Sequence, residues 1–103
     1  MRRWQYGNVS DAHLDAATGL LKALASPLRL RIVLSLADQP QCVHDLVAGL
    51  GVAQPLVSQH LRVLRLSGLT SSERRGREIV YALADEHVGR MARDAIDHAK
   101  EQL

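Results

Sequence analysis

Val43-His44-Asp45-Leu46-Val47-Ala48-Gly49-Leu50-Gly51-Val52-Ala53-Gln54-Pro55-Leu56-Val57-Ser58-Gln59-His60-Leu61-Arg62-Val63-Leu64-Arg65-Leu66 is the stretch that decides the fold. Val43, Leu46, Val47 and Leu50 recur at helical spacing and mark one side of a short helix. Gly51 ends it, because glycine takes a left-handed cap without steric cost. The tight turn Gly51-Val52-Ala53 leads into a longer helix from about Gln54 to Leu66. Its apolar positions Leu56, Val57, Leu61, Val63, Leu64 and Leu66 leave Gln54, Ser58, Gln59, Arg62 and Arg65 outside. A short helix, a glycine-containing turn and a longer helix make a helix-turn-helix.

Upstream, Ser26-Pro27 reads as a cap followed by proline at the first helical position, opening a helix to about Ala37. Ser10 or Asp11 caps an earlier helix carrying Ala16, Ala17, Leu20, Leu21 and Leu24. Residues 1–9 read as a flexible N-terminal arm, and 10–103 as one domain. Asp38-Gln39-Pro40-Gln41 breaks the chain before the decisive stretch. After Gly68 the period changes: residues 69–74 and 78–83 flank Arg75-Gly76-Arg77, and the β-branched content with a central glycine predicts a hairpin. A closing helix runs from about Glu86 to Gln102. The expected fold class is mainly α: a winged helix-turn-helix with a two-stranded β-hairpin wing.

Composition agrees. The 103 residues are 47% hydrophobic, with no Phe and one Trp, so Leu, Val, Ile and Ala must build the core. No apolar run approaches the roughly 20 residues of a bilayer span. Met1-Arg2-Arg3-Trp4 has no apolar stretch after it to make a signal peptide, and one cysteine cannot form an internal disulfide. A cytoplasmic protein is expected. The net charge of +2 says little, but its distribution says more. Between Gln54 and Leu83 five arginines face two glutamates, which suits phosphate. From Asp85 onward five acids face three bases beside two histidines, which suits a cation.

The second helix of a helix-turn-helix lies in the major groove with its N-terminal residues at the base edges. Here that end offers Gln54, Ser58, Gln59 and His60. Glutamine can bond the N6/N7 edge of adenine in bidentate fashion, and serine serves donor or acceptor bases. Arg62, one turn on, suits a phosphate. Arg74, Arg75 and Arg77 at the hairpin tip, Arg75 and Arg77 above all, suit phosphate or a narrow minor groove. Three arginines in a loop are also compatible with a merely solvated tip.

Residues 24–32 (LASPLRLRI), 57–64 (VSQHLRVL), Gly68-Leu69 and 75–83 (RGREIVYAL) resemble the ArsR/SmtB family of bacterial metal-responsive repressors, over about residues 16–102. The resemblance implies a homodimer through the first and last helices that binds palindromic operator DNA without metal and releases it when metal binds. It excludes an enzyme, a membrane partner and a small-molecule substrate. Ala53 departs from the pattern, which often has a Ser or Thr cap there.

Asp85-x-His87 and His98-x-x-Glu101 match the zinc-sensing branch of that family at all four positions. His87 and His98 are eleven residues apart, about 1100° around the helix, so they share a face, but the rise between them is roughly 17 Å. Zinc bonds to nitrogen and oxygen are only about 2 Å. One helix cannot bring the four groups to one ion, whereas two antiparallel copies can, giving two identical sites per dimer. The nitrogen and oxygen donors suit Zn(II), with Co(II) or Ni(II) also possible. Taken without the resemblance, Asp85 is equally a simple helix cap, and His98 with Glu101 a solvated surface pair.

Cys42 and Asp45 resemble the family's other metal site, which takes further ligands from the partner's N-terminal segment, where His13 or Asp15 would have to serve; a buried free thiol is the plainer alternative. A metal-independent or thiol-responsive repressor sensing through Cys42 is the competing function. A zinc hydrolase would need an open coordination position and a general base, and the sequence offers neither.

Overall fold

In the computed structural model, which describes residues 6–103, five helices and a small antiparallel sheet follow one another in the expected order. Helix α1 (Asp11–Leu24) starts at Ser10, whose side chain accepts the His13 N–H, and α2 (Pro27–Asp38) starts at Ser26, which accepts the Arg29 N–H. Ser and Pro at these positions satisfy or remove donors that a helix start leaves unpaired. Helix α3 (Val43–Leu50) closes on Gly51 at φ 66°, the left-handed cap expected of glycine. Helix α4 (Gln54–Leu66) follows after the short turn.

The core lies between α2, α3 and α4. Ile32 and Val33 of α2, Leu46 of α3, and Val57, Leu61 and Leu64 of α4 are buried together. Leu69 joins them after Gly68, with its N–H on the Leu64 carbonyl. At roughly 1.5–3 kcal/mol per buried aliphatic side chain, this cluster is what fixes α4 on the body.

The wing is β2 (Thr70–Arg75) paired with β3 (Glu78–Leu83), joined through Gly76 and Arg77. Gly76 has φ 62° while Arg77 keeps a negative φ, the sign pattern of a II′ hairpin turn. The two-stranded wing forms as expected, and a short strand the sequence did not predict, β1 (Gln41–Cys42), pairs with the other edge of β3, so the sheet has three strands in the order β1-β3-β2. Gln41 faces Tyr81 in that register, and its amide donates to the Ser35 carbonyl at 2.8 Å. The segment read as a simple break therefore ties the wing to the body directly before α3.

Helix α5 (Glu86–Gln102) packs its first half on α2 through Val88, Gly89 and Ala92. Beyond Ala92 only Ile96 is even half-buried. Helix α1 is similar: Asp11 to Gly19 are all exposed, and Leu14 and Leu21 are 52% and 60% accessible. Of the expected arm, Tyr6 to Asn8 form a turn, and residues 1–5 lie outside the described residues. No helix among the described residues is long and apolar enough to cross a membrane.

Candidate nucleic-acid interface and metal-ligand pairs

Helix α4 presents Gln54, Ser58, Gln59, Arg62 and Arg65 to solvent as expected, but Leu56 and Leu66, read as apolar-side positions, are exposed as well, because each sits at an end of the helix beyond the reach of the core. Its start is open. Ala53 has extended backbone but no side chain to cap with, Pro55 occupies the first turn, and no acid stands there. The positive end of the helix dipole is thus left uncompensated beside the candidate base-reading residues.

The wing stands next to this face. An open groove between α3, α4 and the hairpin is lined by Val43, His44, Ser58, Arg77, Ile79 and Tyr81. Ser58 and Arg77 from the sequence reading therefore share one groove, and His44, an exposed residue in the first turn of α3, joins them. Arg75 reaches back to Glu73 at 3.6 Å with both side chains largely exposed. A surface pair of this kind contributes about 0–1 kcal/mol and yields readily to a phosphate.

His60 sits differently from its expected neighbours. It is half-buried and turned toward α2, where its Nδ1 lies 3.4 Å from Nη1 of Arg29. Sequence reasoning passed over Arg29; its signal was a basic residue in a helix first turn that contains no acid.

The α5 groups form two separate pairs. Asp85 is the N-cap, its Oδ1 accepting the His87 N–H at 2.8 Å and lying 3.3 Å from His87 Nδ1. His98 Nδ1 lies 3.9 Å from Glu101 Oε2. All four side chains are more than half exposed. Among the described residues no three His, Cys, Asp or Glu side chains gather closely enough to hold an ion. Each pair offers one imidazole and one carboxylate, and Asp85 keeps Oδ2 available while Oδ1 caps the helix. The donor set fits a nitrogen- and oxygen-ligated metal once two pairs meet. Cys42 is buried and its thiol donates to Asp45 Oδ2 at 3.3 Å, while His13 and Asp15 stand exposed on α1 and are not gathered with it.

A family model described as bacterial regulatory protein, arsR family, matches residues 26–72, which is α2 through the first residues of β2. The HTH-type transcriptional repressor SmtB of Mycobacterium tuberculosis strain H37Rv is 53% identical over 88 residues, covering 85% of this chain and 65% of the relative. A transcriptional repressor SmtB homolog of Synechocystis is 46% identical over 79 residues, covering 77% and 60%. This chain thus spans somewhat under two thirds of the length of those relatives. Among solved structures, the homodimeric winged helix-turn-helix DNA-binding domain of Mb0332 from Mycobacterium bovis, a possible ArsR-family transcriptional regulator, superposes with a TM-score of 0.81. It is 30% identical, with 93% of this chain and 92% of that one covered.

Proposed function

Because the chain belongs to the ArsR/SmtB family of bacterial transcription regulators, we propose that it is a cytoplasmic metal-sensing repressor. As a homodimer it holds a palindromic operator and releases it when Zn(II) binds between the α5 helices. The observation that carries this reading is the pair of exposed nitrogen–oxygen units, Asp85 with His87 and His98 with Glu101, at opposite ends of one helix. The exposed leucines of α1 and the uncovered second half of α5 support a second copy on that side.

In the dimer, two copies of α4 enter successive major grooves, about 34–36 Å apart. Gln54, Ser58 and Gln59 address base edges, while Arg62, Arg75 and Arg77 address the backbone. Asp85 and His87 of one protomer meet His98 and Glu101 of the partner subunit. These four side chains would hold Zn(II), which would tie the two helices together. Asp85 caps α5 through Oδ1 and keeps its other oxygen for ligation, so the two roles are compatible. Val88, Gly89 and Ala92 carry any displacement of α5 to α2, on which α4 also packs. The same donors accept Co(II) or Ni(II). The thiol-responsive alternative is less well supported: Cys42 is buried, bonded to Asp45, and the only cysteine of the chain.

The test uses a duplex selected by the metal-free protein from a random pool. Titration should reach two zinc ions per dimer and weaken that duplex by about 5- to 150-fold, the usual range of allosteric coupling. Equal affinity with and without zinc refutes the proposal.

A further inference from the structure

Arg29 stands where a cation is costly. It is in the first turn of α2, at the positive end of the helix dipole, and no acid shares that turn. The residue is half-buried, its Nε is buried without a hydrogen-bond partner, and none of the ion pairs among the described residues includes it. Among the described residues the one polar contact of its guanidinium is Nη1 to His60 Nδ1 at 3.4 Å. Cations withdrawn from water are normally paired, and the described residues supply no anion here.

His60 completes the picture from α4. A guanidinium only donates, so a hydrogen bond at this contact requires Nδ1 to accept, which leaves the ring proton on Nε2. His60 is two residues from Ser58, about 200° around the helix. The wing and His44 border the Ser58 flank, and α2 borders the His60 flank. A helix seated in the major groove has a phosphate backbone along each flank, and on the α2 side Arg29 is the cation in contact with α4.

We infer that Arg29 and His60 form a phosphate clamp on the α2 side of the recognition helix. The guanidinium takes a DNA backbone oxygen as its counter-ion, and through Nδ1 it holds His60 with Nε2–H as a second, neutral donor to the same backbone. The clamp rests on the DNA-binding reading above, and Arg29 is in addition the positioning residue for His60.

Binding of a random-sequence duplex of about 30 base pairs is measured between about 50 and 200 mM salt, conditions in which backbone contacts dominate. Each neutralised phosphate contributes about 0.9 to the slope of log K against log salt, so Arg29→Gln should lower the slope by about 1.8 in a dimer. His60→Leu should weaken binding several-fold and leave the slope unchanged, since a neutral donor releases no counter-ion. Arg29→Lys should keep most of the slope but lose the Nε2–H preference of His60, read from its ring ¹⁵N shifts. Folding of each variant is checked by circular dichroism. A folded Arg29→Gln with the wild-type slope overturns the clamp, even if its affinity falls equally at every salt concentration. Should Arg29→Gln not fold, an Nδ1–H tautomer at His60 in the wild type, or a reduced slope in His60→Leu, overturns it instead. A wild type that binds no duplex overturns the DNA-binding reading as well, whereas a wild type that binds with the clamp untouched leaves that reading standing.

Discussion

Helices α4 and α5 are both amphipathic, yet a single chain completes only one of them. The apolar side of α4 is closed by α2 and α3, with Val57, Leu61 and Leu64 at 1% exposure or less. Its outward side is mainly glutamine, serine and arginine, with Leu56 and Leu66 exposed at its two ends. Helix α5 has Val88 and Ala92 buried at its start, and then runs on with almost nothing covering it. Its open stretch carries the histidine–carboxylate pair that one helix cannot bring to its counterpart. On the proposed reading, the recognition element is therefore a property of the monomer, and the sensing element a property of a pair. A regulator divided in this way can change the spacing of two rigid readers without unfolding either.

The sharpest way to break this contrast is through the core. Leu61→Ala removes a fully buried side chain beneath α4 and should cost about 2–5 kcal/mol in urea unfolding. Leu21→Glu on α1 changes a residue that is 60% exposed in one chain. It should leave the body folded by circular dichroism while converting dimers to monomers in sedimentation. Ala23 and Leu24 at the end of α1 already belong to the core, so a Leu21→Glu protein that unfolds outright would add Leu21 to it and erase the distinction.

Next in size is the sensing pair. His98→Ala leaves one nitrogen–oxygen unit per protomer, so two-zinc stoichiometry should be lost. The zinc-dependent loss of duplex affinity, about 1–3 kcal/mol of coupling in typical allosteric proteins, should go with it. Affinity of the metal-free protein for the duplex should stay within about twofold, because His98 is far along α5 from the recognition helix.

What was legible in the sequence follows the same division. The α3–turn–α4 unit was readable because its signals are local: apolar spacing of three and four, then Gly51 at a position that requires positive φ. Ser26-Pro27 and the Gly76 hairpin were readable for the same reason. Strand β1 was not, since two residues have no period and its existence depends on pairing with Val80 and Tyr81, some 40 positions away. The inward turn of His60 was equally hidden, because its partner Arg29 is 31 residues distant. Spacing alone sorted the α5 ligands into two separated pairs, but whether they meet depends on a second chain.

A smaller effect, of opposite sign, tests the open start of α4. Ala53 has φ −59° and ψ 141°, a backbone that a serine cap could occupy unchanged. Ala53→Ser should add about 1 kcal/mol of stability, which is roughly 4–8 °C in thermal midpoint for a domain of this size. If the uncapped end serves the duplex, affinity should fall slightly even as stability rises. A rise in both would assign Ala53 no role at the interface.

The smallest expected change in stability falls at the seam between the two regions. Gly89 lies where α5 crosses α2, and a Cβ there would stand 3.2 Å from Leu83 Cδ1, 3.3 Å from Arg93 Nη1 and 3.4 Å from Ala37 Cβ. Two of these neighbours are ends of rotatable side chains, and the third is at ordinary contact distance. Overpacking with such yielding neighbours should cost near the lower end of about 1–3 kcal/mol. Alanine in a helix interior is favoured over glycine by about 0.8–1.0 kcal/mol. The two nearly cancel, so Gly89→Ala should change the thermal midpoint by no more than a few degrees. The accommodation still has to come from somewhere, and a small lift of α5 from α2 moves His87, only two residues away. The zinc-dependent change in duplex affinity should therefore shift while stability hardly does. A large drop in midpoint would mean that α5 is seated on α2 as rigidly as α4 is seated in the core, and unchanged coupling would mean that displacement of α5 does not pass through this contact.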